Sequence, residues 1–289
     1  MTINWYPGHM HKARKEIKKA LPEVDVVIEM LDARLPFSSA NPVLGKLAVH
    51  KPTLKLLSKS DLADPAITQQ WIEFFEQQSH IRALPIVTTD AKTLRPIAST
   101  CQQLASQVRE SRSVKALVMG IPNVGKSTLI NSLAGKKIAK TGNEPAVTRR
   151  QQKIQVGERL QIIDTPGVLW PRIENAESAY RLGASGAIRD TAMDYEEVGF
   201  WAAADLLIRY PQALIARYKL KEVPENAEQL LKAIAQKRGG LRSGGVIDYH
   251  RACEVLLHDL RGGQLGLVSL ETPLDIPLDD ESEKDQVNE

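Results

Sequence analysis

The sequence predicts an α/β fold, a mostly parallel sheet covered by helices on both faces, followed by an all-helical segment. Three observations lead there. Apolar strand-like runs alternate with helical ones from Val24 to Ile163. A glycine-rich turn sits at one strand-to-helix junction. From about Ala176 onward the apolar residues keep helical spacing with no strand between them.

In chain order, Lys12–Leu21 has helical composition and stops at Pro22, and Val24–Leu31 reads as a strand leading into Asp32-Ala33-Arg34. Thr53–Leu57 is a second strand, Pro65–Gln78 a helix, and Leu84–Thr88 a third strand. A helical stretch to about Glu110 precedes the strand Lys115–Met119, and Lys126–Leu133 opens a helix. Arg150–Val156 and Arg159–Ile163, joined by Gly157-Glu158, read as a hairpin. Glu197–Ile208, Ala227–Gln236 and Tyr249–Asp259 are helical. The expected division is a nucleotide-binding domain over 1–175, a helical domain over 176–275 and an acidic, disordered tail over 276–289.

Composition is that of an ordinary globular chain: 289 residues, 25% charged, with a net charge of +3 that by itself does not argue for nucleic acid. The distribution is more telling, because His9, His11, Lys12, Arg14, Lys15, Lys18 and Lys19 face a single acid, Glu16. Cys101 and Cys253 lie too far apart for a metal or redox spacing and read as buried thiols in a reducing compartment. There is no secretory leader pattern and no apolar run near the roughly 20 residues of a membrane span. A cytoplasmic protein is expected.

Gly120-Ile-Pro-Asn-Val-Gly125-Lys126-Ser127 fits G-x-x-x-x-G-K-[ST], with Thr128 following. Glycines let backbone N–H groups of the turn, including those of Asn123, Val124 and Gly125, point at phosphates, and the helix N-terminus adds its dipole. Lys126 would neutralise β/γ-phosphate charge and Ser127 would offer a hydroxyl to Mg²⁺. Asp164-Thr165-Pro166-Gly167 follows an apolar strand. There Asp164 can hold Mg²⁺ through water, and the Gly167 N–H can meet the γ-phosphate. A plain turn is the alternative for that tetrapeptide. Thr148, in the loop between the two motifs, is a further candidate Mg²⁺ ligand by position alone.

Guanine is read by a carboxylate that accepts from N1–H and the 2-amino group, which adenine cannot satisfy. Motifs of this kind have the form N/T-K-x-D, and none follows Gly167. Upstream, Ser58-Lys59-Ser60-Asp61 stands at a strand's C-terminal end, where open sheets bind ligands. A capping turn is an equal explanation of the tetrapeptide alone. Thr88 and Thr89 would then line the base pocket.

The order of base reader, phosphate loop, magnesium loop and D-T-P-G resembles the circularly permuted GTPases, of P-loop NTPase type. Trp5-Tyr-Pro-Gly-His9-Met, Asp32-Ala-Arg34 and the Gly120–Thr128 loop narrow this. Together they are similar to the ribosome biogenesis GTPase A family. The resemblance implies GTP and GDP as ligands, the large ribosomal subunit and its rRNA as partners, and a monomer. It also implies a catalytic part for His9 and a K⁺-coordinating role for Asn123, for which loop capping is the alternative. Ser58 departs from the family's Asn, so guanine binding weaker by about 1 kcal/mol with selectivity retained through Asp61 is expected. Val168, Leu169 and Trp170 stand where Ras-like enzymes place a water-orienting Gln, so intrinsic hydrolysis is expected to be slow. A nucleotide-dependent RNA-binding scaffold is the competing reading, and a metabolic P-loop kinase is disfavoured by D-T-P-G. Lys232, Lys237, Arg238, Arg242, Arg251 and Arg261 are the helical segment's candidate RNA contacts.

Overall fold

The computed structural model describes residues 15–135, 153–165, 167, 173 and 175–277. His9 and Thr148 lie outside the described residues. Helix α1 covers residues 15–20 and leads through a short turn into β1 (Val26–Asp32). Next come α2 (Pro36–Ser39), α3 (Pro42–Ala48), β2 (Thr53–Ser58), α4 (Pro65–Glu76) and β3 (Ile81–Pro85). Then follow α5 (Ala91–Leu94), α6 (Pro96–Leu104), β4 (Val114–Gly120), α7 (Lys126–Ala134), β5 (Lys153–Val156) and β6 (Leu160–Asp164). The remaining elements are helices: α8 (Ala176–Ser185), α9 (Tyr195–Arg209), α10 (Pro211–Tyr218), α11 (Ala227–Arg238) and α12 (Tyr249–Arg261).

Among the described residues six strands form one sheet in the order β3-β2-β1-β4-β6-β5. Every pairing is parallel except β5 with β6, which is the expected hairpin. β1 and β4 are interior strands, and their side chains alternate between two apolar layers. Val27, Leu117 and Met119 pack with Ile17, Leu44 and Ala48 of α1 and α3. Ile28, Met30, Ala116 and Val118 belong to the opposite layer with Ile97 of α6 and Leu129 of α7, and that layer runs on into the interior of α8–α12. Among the described residues no helix is long and apolar enough to cross a membrane. Both cysteines are buried free thiols, each pushed up to about 12, mainly by that burial.

Some expectations need correction. The third strand is Ile81–Pro85, not Leu84–Thr88. Its apparent continuation is drawn off the sheet by Thr93, whose hydroxyl takes the Val87 N–H at 3.0 Å and donates to the Val87 carbonyl at 3.1 Å. Thr88 and Thr89 therefore sit in a loop beyond the strand. The helix expected to reach Glu110 is two helices divided at Pro96 and ending at Leu104, because proline cannot donate to the helical ladder. Helices α2, α3, α8 and α10 are additional to those predicted. So is a strap over 262–277 that returns from α12 to the sheet. There the Val268 N–H donates to the Leu62 carbonyl at 3.0 Å and the Leu270 N–H to the Arg34 carbonyl at 2.7 Å.

Candidate nucleotide-binding site

Parallel strands all end on one edge, so the turns after β2, β4 and β6 meet there. β4 delivers Gly120, whose φ of 154° suits a residue without Cβ; an added Cβ would lie 2.6 Å from the Met30 carbonyl oxygen. The loop then turns through Asn123, with φ 59°, into α7 at Lys126. Lys126 is buried, and its ammonium donates to the loop's own carbonyls, Gly120 at 2.9 Å and Ile121 at 2.6 Å. Burial pushes Lys126 down to about 8, with the charge of Asp164 opposing the shift. Ser127 and Thr128 follow, half-buried in the first turn of α7.

From β6, the buried Asp164 reaches the same edge, and Thr165 ties its loop to β4 by donating to the Val118 carbonyl at 2.6 Å. Gly167 lies directly on the phosphate loop. A Cβ there would stand 2.9 Å from Lys126 Nζ and 3.2 Å from Pro122 Cα. The described residues thus bring Lys126, Asp164 and Gly167 together as the two motifs require.

The turn after β2 carries Ser58, Lys59 and Asp61. Ser58 is fully buried, and its single hydroxyl proton is shared between the Leu31 carbonyl at 2.9 Å and the Val124 carbonyl at 2.8 Å. That brace joins the turn to the phosphate loop. Lys59 has φ 56°, and its ammonium bonds Asp32 Oδ2 at 2.8 Å. Asp61 is exposed. Thr88 packs on the loop, its Cγ2 lying 3.2 Å from where a Cβ on Gly125 would be, and its carbonyl accepts from Ser132 Oγ at 2.7 Å. Thr89 is exposed beside Asp90, which caps α5.

Several residues of this edge were not predicted to act there. Asp32 and Arg34 are buried and doubly bonded, Nε to Oδ1 at 2.9 Å and Nη2 to Oδ2 at 2.8 Å. Burial would raise the Asp32 carboxyl, but Arg34 and Lys59 outweigh it and hold it well below the usual carboxylate range. The end of α8 also reaches the site, its Ser185 carbonyl accepting from Arg34 at 3.4 Å and the Gly186 carbonyl from Asn123 Nδ2 at 3.3 Å. The D-A-R tripeptide was visible in the sequence; the α8 contacts carried no local signal.

A phosphate loop and D-T-P-G on adjacent strands, with Ser58-Lys59-Ser60-Asp61 ahead of both in the chain, define a circularly permuted P-loop GTPase that binds guanine nucleotides. A family model described as 50S ribosome-binding GTPase matches residues 115–231. A ribosome biogenesis GTPase A of Bacillus cereus is 44% identical over 281 residues, covering 94% of this chain and 95% of that protein. Mitochondrial ribosome-associated GTPase 1 of Mus musculus is 33% identical, with 93% and 90% covered. The crystal structure of GNP-bound YlqF from T. maritima is 28% identical, with a TM-score of 0.65 and coverage of 92% of this chain and 100% of that one. The chain belongs to the ribosome biogenesis GTPase A family.

The state of Lys126 gives a pH prediction. Phosphate favours the ammonium form, so binding takes up a proton wherever free Lys126 is neutral, above about 8. GDP affinity should fall about threefold from about pH 7.5 to about pH 8.5. Calorimetry in buffers of different ionisation heat would register the proton uptake; a flat profile without uptake would mean the amine stays charged throughout.

Proposed function

We propose that this chain is a GTP-hydrolysing assembly factor that acts on the large ribosomal subunit and uses its nucleotide state to control rRNA binding. The observation carrying this reading is the contact of the nucleotide edge with the helical segment. Asn123 of the phosphate loop and Arg34 beside the base reader both donate to carbonyls at the end of α8. A ligand that rearranges the loop must then disturb α8, and with it α9–α12.

In this reading Ser58, Lys59 and Asp61 recognise guanine, with Thr88, and Thr89 less directly, bordering the base. Asn123–Thr128 hold the phosphates, and the Gly167 N–H meets the γ-phosphate. The oxygen donors of Ser127 and Asp164, with Thr148, suit Mg²⁺, a hard cation that would neutralise phosphate charge. Asn123 directs its amide N–H to Gly186, which turns the amide oxygen to the other side as a ligand suited to K⁺. His9 contributes to hydrolysis on the bound particle.

The RNA surface is narrower than the basic residues first suggest. Arg261 is held by Asp190 at 2.9 Å and by the Gly183 and Ala184 carbonyls. Arg242 and Arg251 pair with Asp248 and Glu254, each at 2.7 Å. Lys237 and Arg238, exposed on α11, donate to the Lys219 and Arg217 carbonyls at 2.6 and 3.4 Å, which leaves Lys232, exposed on the same helix, as the best-placed phosphate contact. The protein works as a cytoplasmic monomer.

The test is GTP turnover with and without large-subunit particles, in K⁺ and in Na⁺ buffer. Slow turnover alone, stimulation by the particles and a higher rate in K⁺ are expected. Background turnover under every condition would leave the nucleotide-dependent RNA-binding scaffold as the reading. Equal rates in the two salts would remove Asn123 as a cation ligand. ATP competing with GTP at comparable affinity would remove Asp61 as the base reader.

A further inference from the structure

The base-reading turn is fixed from beneath and from behind by residues outside any nucleotide motif. Lys59 sits in the left-handed region, uncommon for a residue with a side chain, and that conformation turns the chain so that Asp61 faces outward. Two backbone bonds shape the turn, Ser60 N–H to the Ile86 carbonyl at 3.2 Å and Leu62 N–H to the Lys59 carbonyl at 2.9 Å. The ammonium of Lys59 ends on Asp32, which is buried, and Asp32 is held in turn by Arg34 and by its own N–H on Ser39 Oγ at 3.0 Å. Arg34 also lies within the field of Asp61, whose charge, with that of Asp32, raises the guanidinium against the lowering effect of burial.

The strap closes the far side of the same turn. Val268 and Leu270 donate to the carbonyls of Leu62 and Arg34, and Ser269 Oγ accepts the Asp64 N–H at 3.1 Å. Ser269 and Leu270 are fully buried there. Leu62 leans on Gly263, where an added Cβ would come within 2.7 Å of Leu62 Cδ2. Leu62 and Asp64, which follow Asp61, and Arg34 beneath the turn are therefore tied to the C-terminal end of the helical segment.

We propose that Asp32 is a positioning residue for guanine recognition, acting through Lys59, and that strap residues Val268–Leu270 hold the same turn from the other side. Guanine preference then depends on a segment distant in sequence, Ser269 lying 205 residues after Asp64. The inference rests on Ser58–Asp61 being the base reader, and the test separates the two.

The full-length protein is titrated with GDP, with IDP, which lacks the 2-amino group, and with inorganic pyrophosphate, which reports the phosphate loop alone. Asp32→Asn should weaken GDP about tenfold, narrow the preference for GDP over IDP, and leave pyrophosphate affinity within about twofold. A residue serving only general stability would not alter the GDP-to-IDP ratio, so an unchanged ratio overturns the proposal. Ser269→Ala, which keeps the buried charges intact, should narrow the ratio about threefold. It decides the question if Asp32→Asn does not fold, and an unchanged ratio there overturns the strap's part. Asp61→Asn is the reference. If it too leaves the ratio unchanged, the base-reader assignment fails; if it alone collapses the ratio, only the present inference fails.

Discussion

Lys126→Met should weaken GDP and GTP binding by on the order of 100-fold, while leaving the nucleotide-free protein as stable as before or more so. The two halves have one cause. With no phosphate to meet, the ammonium donates to the carbonyls of Gly120 and Ile121, and burial pushes it down to about 8. The unfolded chain, with the ordinary lysine value of 10.5, binds that proton more tightly than the folded one. Stability from this residue therefore rises as pH climbs between those two values, and below about 8 the folded state carries a penalty for the charge. Methionine has similar reach and removes that penalty. The nucleotide complex loses a cation at close range to phosphate, where nothing else in the buried loop replaces it. Thermal melts should show the Tm rise on adding GDP disappear while the ligand-free Tm holds or increases. A ligand-free Tm that drops by several degrees would mean the carbonyl bonds outweigh the burial of charge.

How much of this site could be read in advance follows from how local its causes are. The phosphate loop was legible because its chemistry is contained in eight consecutive residues, Gly120–Ser127, of which Gly120, Gly125, Lys126 and Ser127 are each required by type. The parallel sheet was legible for a similar reason: β1 and β4 are buried on both faces and read as largely apolar runs, each with one charged residue inside it, Glu29 and Lys115. β3 was displaced by a tertiary detail, the hydroxyl of Thr93 reaching back to Val87. The brace from Ser58 to Val124 spans 66 residues and appears in neither segment alone. The strap has no such local signal, because Leu265–Leu270 bonds to loops rather than to a regular strand and its pattern has no partner of fixed period. D-A-R is legible as a family mark, but its action on Lys59 emerges only when β1 and β2 end side by side, with Asp32 opposite Ser58 in register.

Glu271→Ala should lower the unfolding free energy by about 3 kcal/mol, and Glu271→Gln by about 1 kcal/mol or less. Glu271 is fully buried in the strap, and its carboxylate accepts the Ser38 N–H at 2.9 Å, the Ser38 hydroxyl at 2.5 Å and Arg181 Nη1 at 3.3 Å. Its own carbonyl takes the indole N–H of Trp71 at 3.3 Å. The cluster thus pins the strap to α2, α4 and α8 together. Burial raises the Glu271 carboxyl, more than the bonds from Ser38 and the charge of Arg181 lower it. The ionised group is therefore held at a cost, and the value of the side chain lies in its hydrogen bonds. Glutamine keeps an acceptor for the Ser38 N–H and offers its amide to the Ser38 oxygen. It loses only the pairing with Arg181, which retains Asp275 at 3.7 Å and Glu177 at 4.0 Å. Alanine leaves the Ser38 N–H buried without an acceptor and opens a void beside α2. The sign of the pH dependence provides a second check. The folded chain binds this proton more tightly than the unfolded one, so stability falls as pH rises from 4.5 through the raised folded value. That slope should be absent in Glu271→Gln. Urea unfolding of the three proteins at two pH values measures all of it, and equal losses for alanine and glutamine would show that the charge, not the hydrogen bonds, holds the strap.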